Sequence, residues 1–267
     1  MIRRPAVAGQ FYHGEKERLI QQVGKLIDPD SARETVTGIV VPHAGFVYSG
    51  SVAGAVYSSI KFPDTFVLLG PNHTGLGPSI SLMDDCEWEI PVCAFEIDRK
   101  LAAKISVNSP QVARDSQAHM FEHSIEVQLP FLSYFSSAVR IVPVCLLSAS
   151  LYDCLELANG IAKAIRSVDY PVVIAASSDM SHYLPDRMAR QKDKMAIEKM
   201  LEVDAEGLYE TVMREKISMC GVLPVTVMLA AAKILGANSA RLIKYATSGE
   251  VSGDYDSVVG YAGIVVR

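Results

Sequence analysis

The sequence predicts an α/β domain built on a mainly parallel or mixed sheet flanked by helices, and three observations carry that prediction. Strand-like and helix-like segments alternate over almost the whole chain, the order expected of a sheet assembled from strand–helix–strand units. Three strand-length apolar runs are uncharged and rich in β-branched residues: Gly38-Ile-Val-Val-Pro-His43, Phe66-Val-Leu-Leu-Gly-Pro-Asn-His73 and Pro171-Val-Val-Ile-Ala-Ala-Ser-Ser-Asp-Met-Ser-His182. Runs of this kind read as strands buried on both faces of a sheet. Each of them also stops at a histidine. Ligand sites in open α/β sheets form beyond the carboxyl ends of the strands, so these three histidines are expected to meet at one edge.

In chain order, residues 15–26 read as a helix that precedes the first His-tipped strand. The small-residue stretch 51–59 reads as a helix packed closely behind a loop at 44–50. The second His-tipped strand follows, with 79–83 as a shorter strand. Segments 98–105 and 124–134 read as helices, and 140–147 as another buried strand. Residues 152–166 form a clear amphipathic helix leading to the third His-tipped strand. Helices at 186–201, 205–216 and 222–235 and strands at 241–247 and 258–266 complete the pattern. No linker, low-complexity tract or internal repeat interrupts it, so residues 1–267 read as a single domain.

Composition excludes several classes. With 49% hydrophobic and 21% charged residues the chain reads as an ordinary soluble protein with enough apolar material for a large core. A net charge of −5 leaves no basic footprint for nucleic acid. Met1-Ile-Arg-Arg-Pro-Ala-Val-Ala-Gly lacks the apolar segment of a signal peptide, and no apolar run is long enough to span a membrane. The five cysteines, at 86, 93, 145, 154 and 220, include no Cys-x-x-Cys pair, which suits reduced thiols in a cytoplasmic protein. The P-loop, dinucleotide-binding and nucleophile-elbow glycine motifs are all missing, so no nucleotide is expected.

The residues that can carry chemistry lie at the strand tips. His43 stands in Pro42-His-Ala-Gly45 and His73 in Gly70-Pro-Asn-His-Thr-Gly75, where small residues let backbone approach a ligand. One strand–helix–strand unit separates them, so their strands are expected to be neighbours. Asp179 and His182 share the third tip; Asp179 either orients the imidazole, faces the same pocket or caps the helix that follows. Cys220 precedes a predicted helix start, where the helix dipole favours a thiolate. Two imidazoles and a thiolate make a three-ligand set with an open position, suiting zinc, iron or copper. His119-Met-Phe-Glu-His123 matches an inverted zinc-peptidase motif by letter, in which Glu122 would be the general base. Its simpler reading is a helix start, with Glu122 or Ser124 near the cap and Glu126 reaching back or towards the pocket.

These segments together resemble the Memo family, known in prokaryotes as AmmeMemoRadiSam system protein B. The resemblance is carried by Arg4-Pro-Ala-Val-Ala-Gly-Gln-Phe-Tyr12, Val41-Pro-His-Ala-Gly-Phe-Val-Tyr-Ser-Gly50, Leu69-Gly-Pro-Asn-His-Thr-Gly75, Glu122-His-Ser-Ile-Glu-Val-Gln-Leu-Pro-Phe131, Ser177-Ser-Asp-Met-Ser-His-Tyr183, Cys220-Gly, Gly253-Asp-Tyr-Asp and Val259-Gly-Tyr-Ala-Gly263. His13 departs from it, standing where the family usually has proline, and reads as a surface variation.

The resemblance implies a three-layer fold shared with class III extradiol ring-cleavage dioxygenases, which hold Fe(II) with two histidines and a glutamate. Carried over by position, His43 and His73 become the imidazole ligands, Cys220 takes the carboxylate's place, and His182 is the acid/base or pocket histidine. Asp179 would assist His182, and Tyr48, Asn72, His123, Glu126 and Tyr183 are expected to line the pocket. The relatives imply iron or copper, and a functional link to a radical SAM protein and an AMMECR1-like protein. Animal relatives are described as motility mediators that bind phosphotyrosine peptides and as metal-dependent redox proteins. Three readings follow: a metal-dependent oxidoreductase of open substrate, a non-catalytic module holding a peptide or small molecule among Phe46, Tyr48 and Tyr183, and a metal-free redox thiol at Cys220.

Overall fold

The computed structural model describes residues 1–136 and 138–267. The first half runs β1 (Ile2–Arg3), α1 (Lys16–Gly24), β2 (Gly38–Val41), α2 (Phe46–Ser58), β3 (Thr65–Pro71), β4 (Ile80–Leu82), β5 (Glu87–Glu89), β6 (Ala94–Phe95), α3 (Arg99–Asn108), β7 (Ala113–Arg114) and α4 (Gln117–Met120). A 3₁₀ turn (Glu126–Gln128) leads into α5 (Leu129–Phe135) and β8 (Arg140–Leu146). Then come α6 (Leu151–Arg166), β9 (Val172–Ser177), β10 (His182–Leu184), α7 (Asp186–Leu201), α8 (Ala205–Glu215), α9 (Val222–Leu235), β11 (Ala240–Thr247), α10 (Gly249–Ser252) and β12 (Val258–Val266).

The main sheet is mixed, in the order β10-β12-β2-β9-β3-β8-β4-β7, with β11 also paired to β12. Its centre, β2-β9-β3-β8, is all parallel, while β12 and β4 run antiparallel on either side. Every residue of β2 and β3 is buried, as their unbroken apolar sequences require. Helices cover both faces. Met228 of α9 fills the space above Gly38, and Val52 and Val56 of α2 fill that above Gly263 on the opposite face. A small separate sheet, β1-β5-β6, ties the N-terminal residues to the 87–95 hairpin. Among the described residues no helix is long and apolar enough to cross a membrane.

Several expectations change in detail. The strands of His43 and His73 are not neighbours, because β9 lies between them. The three strands are therefore consecutive, and their ends stand level, Val41 pairing with Ser177 and Leu69 with Ala176; β9, however, stops at Ser177, and His182 opens β10 instead. Helix α2 begins at Phe46 rather than at 51. Gly50, expected in the loop, lies inside the helix, where a side chain would strike Leu26; in the expected helical stretch one at Gly54 would strike the Leu26 backbone. The helix expected over 124–134 is split into the 3₁₀ turn and α5, with Pro130 in the first turn of α5, where its missing N–H costs nothing.

Candidate metal centre

The parallel strands bring the site together at their carboxyl edge. His43 follows β2 and His73 follows β3, and their rings lie 5.2 Å apart between centroids. A third imidazole joins them: the His123 ring is 5.4 Å from His43 and stacks on His73 at 4.7 Å. Each of the three offers a nitrogen within 4.8 Å of the others, a spacing that can hold one metal ion. His43 is buried, whereas the His73 side chain is 36% exposed, so the cluster opens to solvent on the His73 side.

Hydrogen bonds fix how the imidazoles face. Ser177 Oγ donates to the Ser124 carbonyl at 2.7 Å and accepts from Gln128 Nε2 at 3.0 Å. Its remaining lone pair accepts from His43 Nδ1 at 2.8 Å, which places the proton on Nδ1 and leaves Nε2 bare. Gln128 is held in turn by the Tyr57 hydroxyl and the Pro42 carbonyl. The buried Glu122 carboxylate accepts from His73 Nδ1 at 2.9 Å, again freeing Nε2, and from the backbone N–H groups of His73, His123 and Ser124. Carboxylate–imidazole pairs of this kind orient metal ligands and raise their basicity.

The electrostatics keep the cluster ready for a cation. Burial and the neighbouring imidazoles push His43 well below the ordinary histidine range, and burial also lowers His123. Burial alone would raise Glu122, but hydrogen bonding and charge from His73 outweigh it and bring its pKa to about 2. Neutral imidazoles at His43 and His123 beside an ionised Glu122 are protonation states that suit ligation.

Cys220 lies against this cluster on one side. Its Sγ is 3.3 Å from His43 Nε2 and accepts the Asp179 N–H at 3.2 Å. The approach depends on Gly221, the N-cap of α9, because a Cβ there would come within 2.3 Å of the Ser177 carbonyl oxygen. The helix start does not by itself lower the thiol: burial, reinforced by the Asp179 carboxylate, pushes Cys220 far up. Asp179 Oδ1 accepts from the His43 N–H at 2.8 Å and the Ala44 N–H at 3.4 Å, so it fixes the loop after β2. His182 is oriented instead by Ser218, whose carbonyl accepts from Nδ1 at 2.8 Å and whose hydroxyl accepts its backbone N–H.

The remaining expected pocket residues divide. Tyr48 and Tyr183 are exposed, and Tyr183 sits in left-handed backbone at φ 58°. Asn72 shapes its own loop, its Oδ1 accepting from Thr74 and Gly75 and its Nδ2 donating to the Leu76 carbonyl. Glu126 faces away from the imidazoles and binds Arg3, Ala6, Val7 and Tyr12. The peptidase-like motif forms no shared site: His119 is buried against Ser81, Cys145 and Trp88, while His123 turns to His43 and His73. Sequence reasoning missed the orienting roles of Ser177, Gln128 and Ser218, and it considered Glu122 only as a base or cap. Hydroxyls and amides at strand tips carry no distinctive spacing, although Ser177 and Gln128 both fall inside the motifs quoted above.

Comparison with known proteins agrees along the whole chain. A family model described as Memo-like protein matches residues 3–265. A MEMO1 family protein of Methanopyrus kandleri is 42% identical, over 100% of this chain and 99% of its own. One from Methanosarcina barkeri is 44% identical over 100% of both chains, and one from Pyrobaculum arsenaticum 42% over 99% and 98%. The crystal structure of an uncharacterized protein from Escherichia coli K12 shares the fold, with a TM-score of 0.59 at 12% identity over 86% of this chain and 99% of that one.

Proposed function

The chain belongs to the Memo-like protein family, and from that premise we propose that it is a metal-dependent oxidoreductase holding iron or copper at the histidine cluster. The observation that carries the reading is the convergence of His43, His73 and His123, with Nδ1 of the first two tied back so that Nε2 carries no proton. Imidazole suits iron, copper and zinc, but zinc brings no redox chemistry. Cys220 supports a mixed nitrogen and sulfur set. Adjacent nitrogen and sulfur ligands of a tetrahedral site stand about 3.5 Å apart, and Cys220 Sγ is 3.3 Å from His43 Nε2.

A bound metal of this type supplies Lewis acidity and electron transfer. The chain's own residues supply the rest. Ser177 and Glu122 aim the imidazoles, and burial of His43 keeps water from one side of the cluster. His182 donates Nδ1–H to Ser218, so its Nε2 is free to take a proton from a substrate and return it. Metal analysis of protein purified without chelator tests the site: bound iron or copper is expected, abolished by His43→Ala and reduced by His123→Ala and Cys220→Ala. Protein carrying no metal, or variants carrying the full amount, would refute it.

One observation favours a second reading, in which the same edge binds a peptide or small molecule without turnover. Tyr48 and Tyr183 follow His43 and His182 closely in sequence and present their rings to solvent. Oxygen uptake with catechol-type substrates separates the two, since turnover lost in His182→Ala belongs only to the enzyme.

A further inference from the structure

Arg3 is fully buried, and its guanidinium is devoted to a single segment of the chain. Nε donates to the His119 carbonyl at 3.1 Å, Nη2 to the Glu122 carbonyl at 2.6 Å, and Nη1 pairs with the Glu126 carboxylate. The Trp88 ring backs the guanidinium, 4.4 Å from its centroid. Glu126 then gathers the N-terminal residues, accepting from Ala6 N–H at 2.7 Å, Val7 N–H at 3.1 Å and the Tyr12 hydroxyl at 2.6 Å. The Phe11 ring rests 4.8 Å from the His123 ring. The Phe11 carbonyl accepts the Phe46 N–H at 2.8 Å, where α2 begins just after His43.

Residues 3–12 therefore grip the site from two sides: the segment carrying Glu122 and His123, and the turn following His43. The first of these needs outside support. It lies between α4 and the 3₁₀ turn and has no strand ladder to fix its carbonyl groups, which must find donors when buried. An arginine fork meets the need because its donors lie in one rigid plane. A lysine ammonium is a point charge on a flexible stem and does not reproduce that geometry.

We propose that Arg3 is a positioning residue of the metal centre, holding Glu122 and His123 in register with His43 through residues 3–12. This rests on the metal-site reading above. The test is Co(II) binding to the full chain after metal removal, comparing wild type with Arg3→Lys and Tyr12→Phe. Circular dichroism checks the fold, chelator competition gives the affinity, and the visible absorption of bound Co(II) reports ligand geometry.

Folded Arg3→Lys is expected to bind Co(II) about 10–100-fold more weakly, the usual cost of disturbing the groups that orient ligands, with an altered spectrum. Tyr12→Phe is expected to lose less in the same direction. A merely structural arginine would lower thermal stability and leave the spectrum of the folded fraction unchanged. If wild type binds Co(II) and both folded variants match its affinity and spectrum, the inference fails while the metal reading stands. If wild type binds none, both fail. If Arg3→Lys does not fold, Tyr12→Phe decides alone: weakened binding with a shifted spectrum supports the inference, and unchanged binding overturns it.

Discussion

His73 and Glu122 are joined twice, through the imidazole Nδ1 on one carboxylate oxygen and the His73 backbone N–H on the other. The side chain is thus aimed from the same group that fixes its own main chain. Glu122→Gln keeps the shape but replaces one accepting oxygen with a donor, which faces N–H groups it cannot serve. Metal affinity is expected to fall about 10–100-fold, read by chelator competition; an unchanged affinity would show that the pair does not tune the ligand.

Ser177 sets the tautomer of His43, because its own proton is committed to the Ser124 carbonyl. In metal-free protein, nitrogen-15 NMR of the imidazoles should show His43 protonated at Nδ1. Ser177→Ala should give a mixture of tautomers, and a His43 still locked at Nδ1 would mean another group sets it. Loss of this buried hydroxyl, which leaves Gln128 and Ser124 short of a partner, is expected to cost about 1–3 kcal/mol by urea denaturation.

Gly221→Ala tests how tightly the start of α9 is pressed onto β9. The added carbon would meet the Ser177 carbonyl oxygen at 2.3 Å and Ser178 Cβ at 2.4 Å, both at or next to the strand backbone. Relieving that contact must move Cys220 off the sheet edge. The expected result is a destabilisation of about 1–3 kcal/mol, together with faster reaction of Cys220 with a thiol reagent. An unchanged rate would show that the thiol's place does not depend on this approach.

Asp98 provides a pH test outside the site. It caps α3 by accepting the Leu101 N–H at 3.0 Å, and it accepts the Thr65 hydroxyl at 2.8 Å. Burial alone would raise its carboxyl, but those bonds and the Arg140 charge outweigh burial and hold it below the usual aspartate range. A carboxyl depressed in the folded state stabilises fully above its unfolded pKa, and that contribution is lost as pH falls through the folded pKa. Asp98→Asn should therefore be less stable than wild type by about 1–2 kcal/mol at neutral pH. The gap should narrow in acid, below the ordinary aspartate range. A gap independent of pH would contradict the assignment.

The sheet and half of the site were legible because they rest on long, unambiguous signals. The runs before His43, His73 and His182 are too apolar and too β-branched to be surface elements, and the parallel topology does bring the ends of β2, β9 and β3 to one edge, although His182 itself opens β10. His123 was harder to place. It belongs to an irregular stretch whose helical lettering misleads, since α4 stops at Met120 and the next turn is 3₁₀. Strands β1, β5, β6 and β7 are two or three residues long, too short to show a period. Arg3 was invisible for a different reason: an arginine near a chain start reads as solvated, and only the tertiary partners around Trp88 and Glu126 make its burial tolerable.

The contact of His43 with Cys220 spans most of the polypeptide, and this bears on when the centre can exist. During synthesis the three parallel strands could begin to assemble well before residue 220 leaves the ribosome, since domains form from the N-terminal side as the chain emerges. The sulfur, however, arrives only with the start of α9, which must then dock against β9. A nascent chain thus presents imidazoles before it presents the thiol. On the proposed metal-site reading, loading with a mixed nitrogen and sulfur set would be an event of the finished chain, and a metal caught earlier would be held by nitrogen alone.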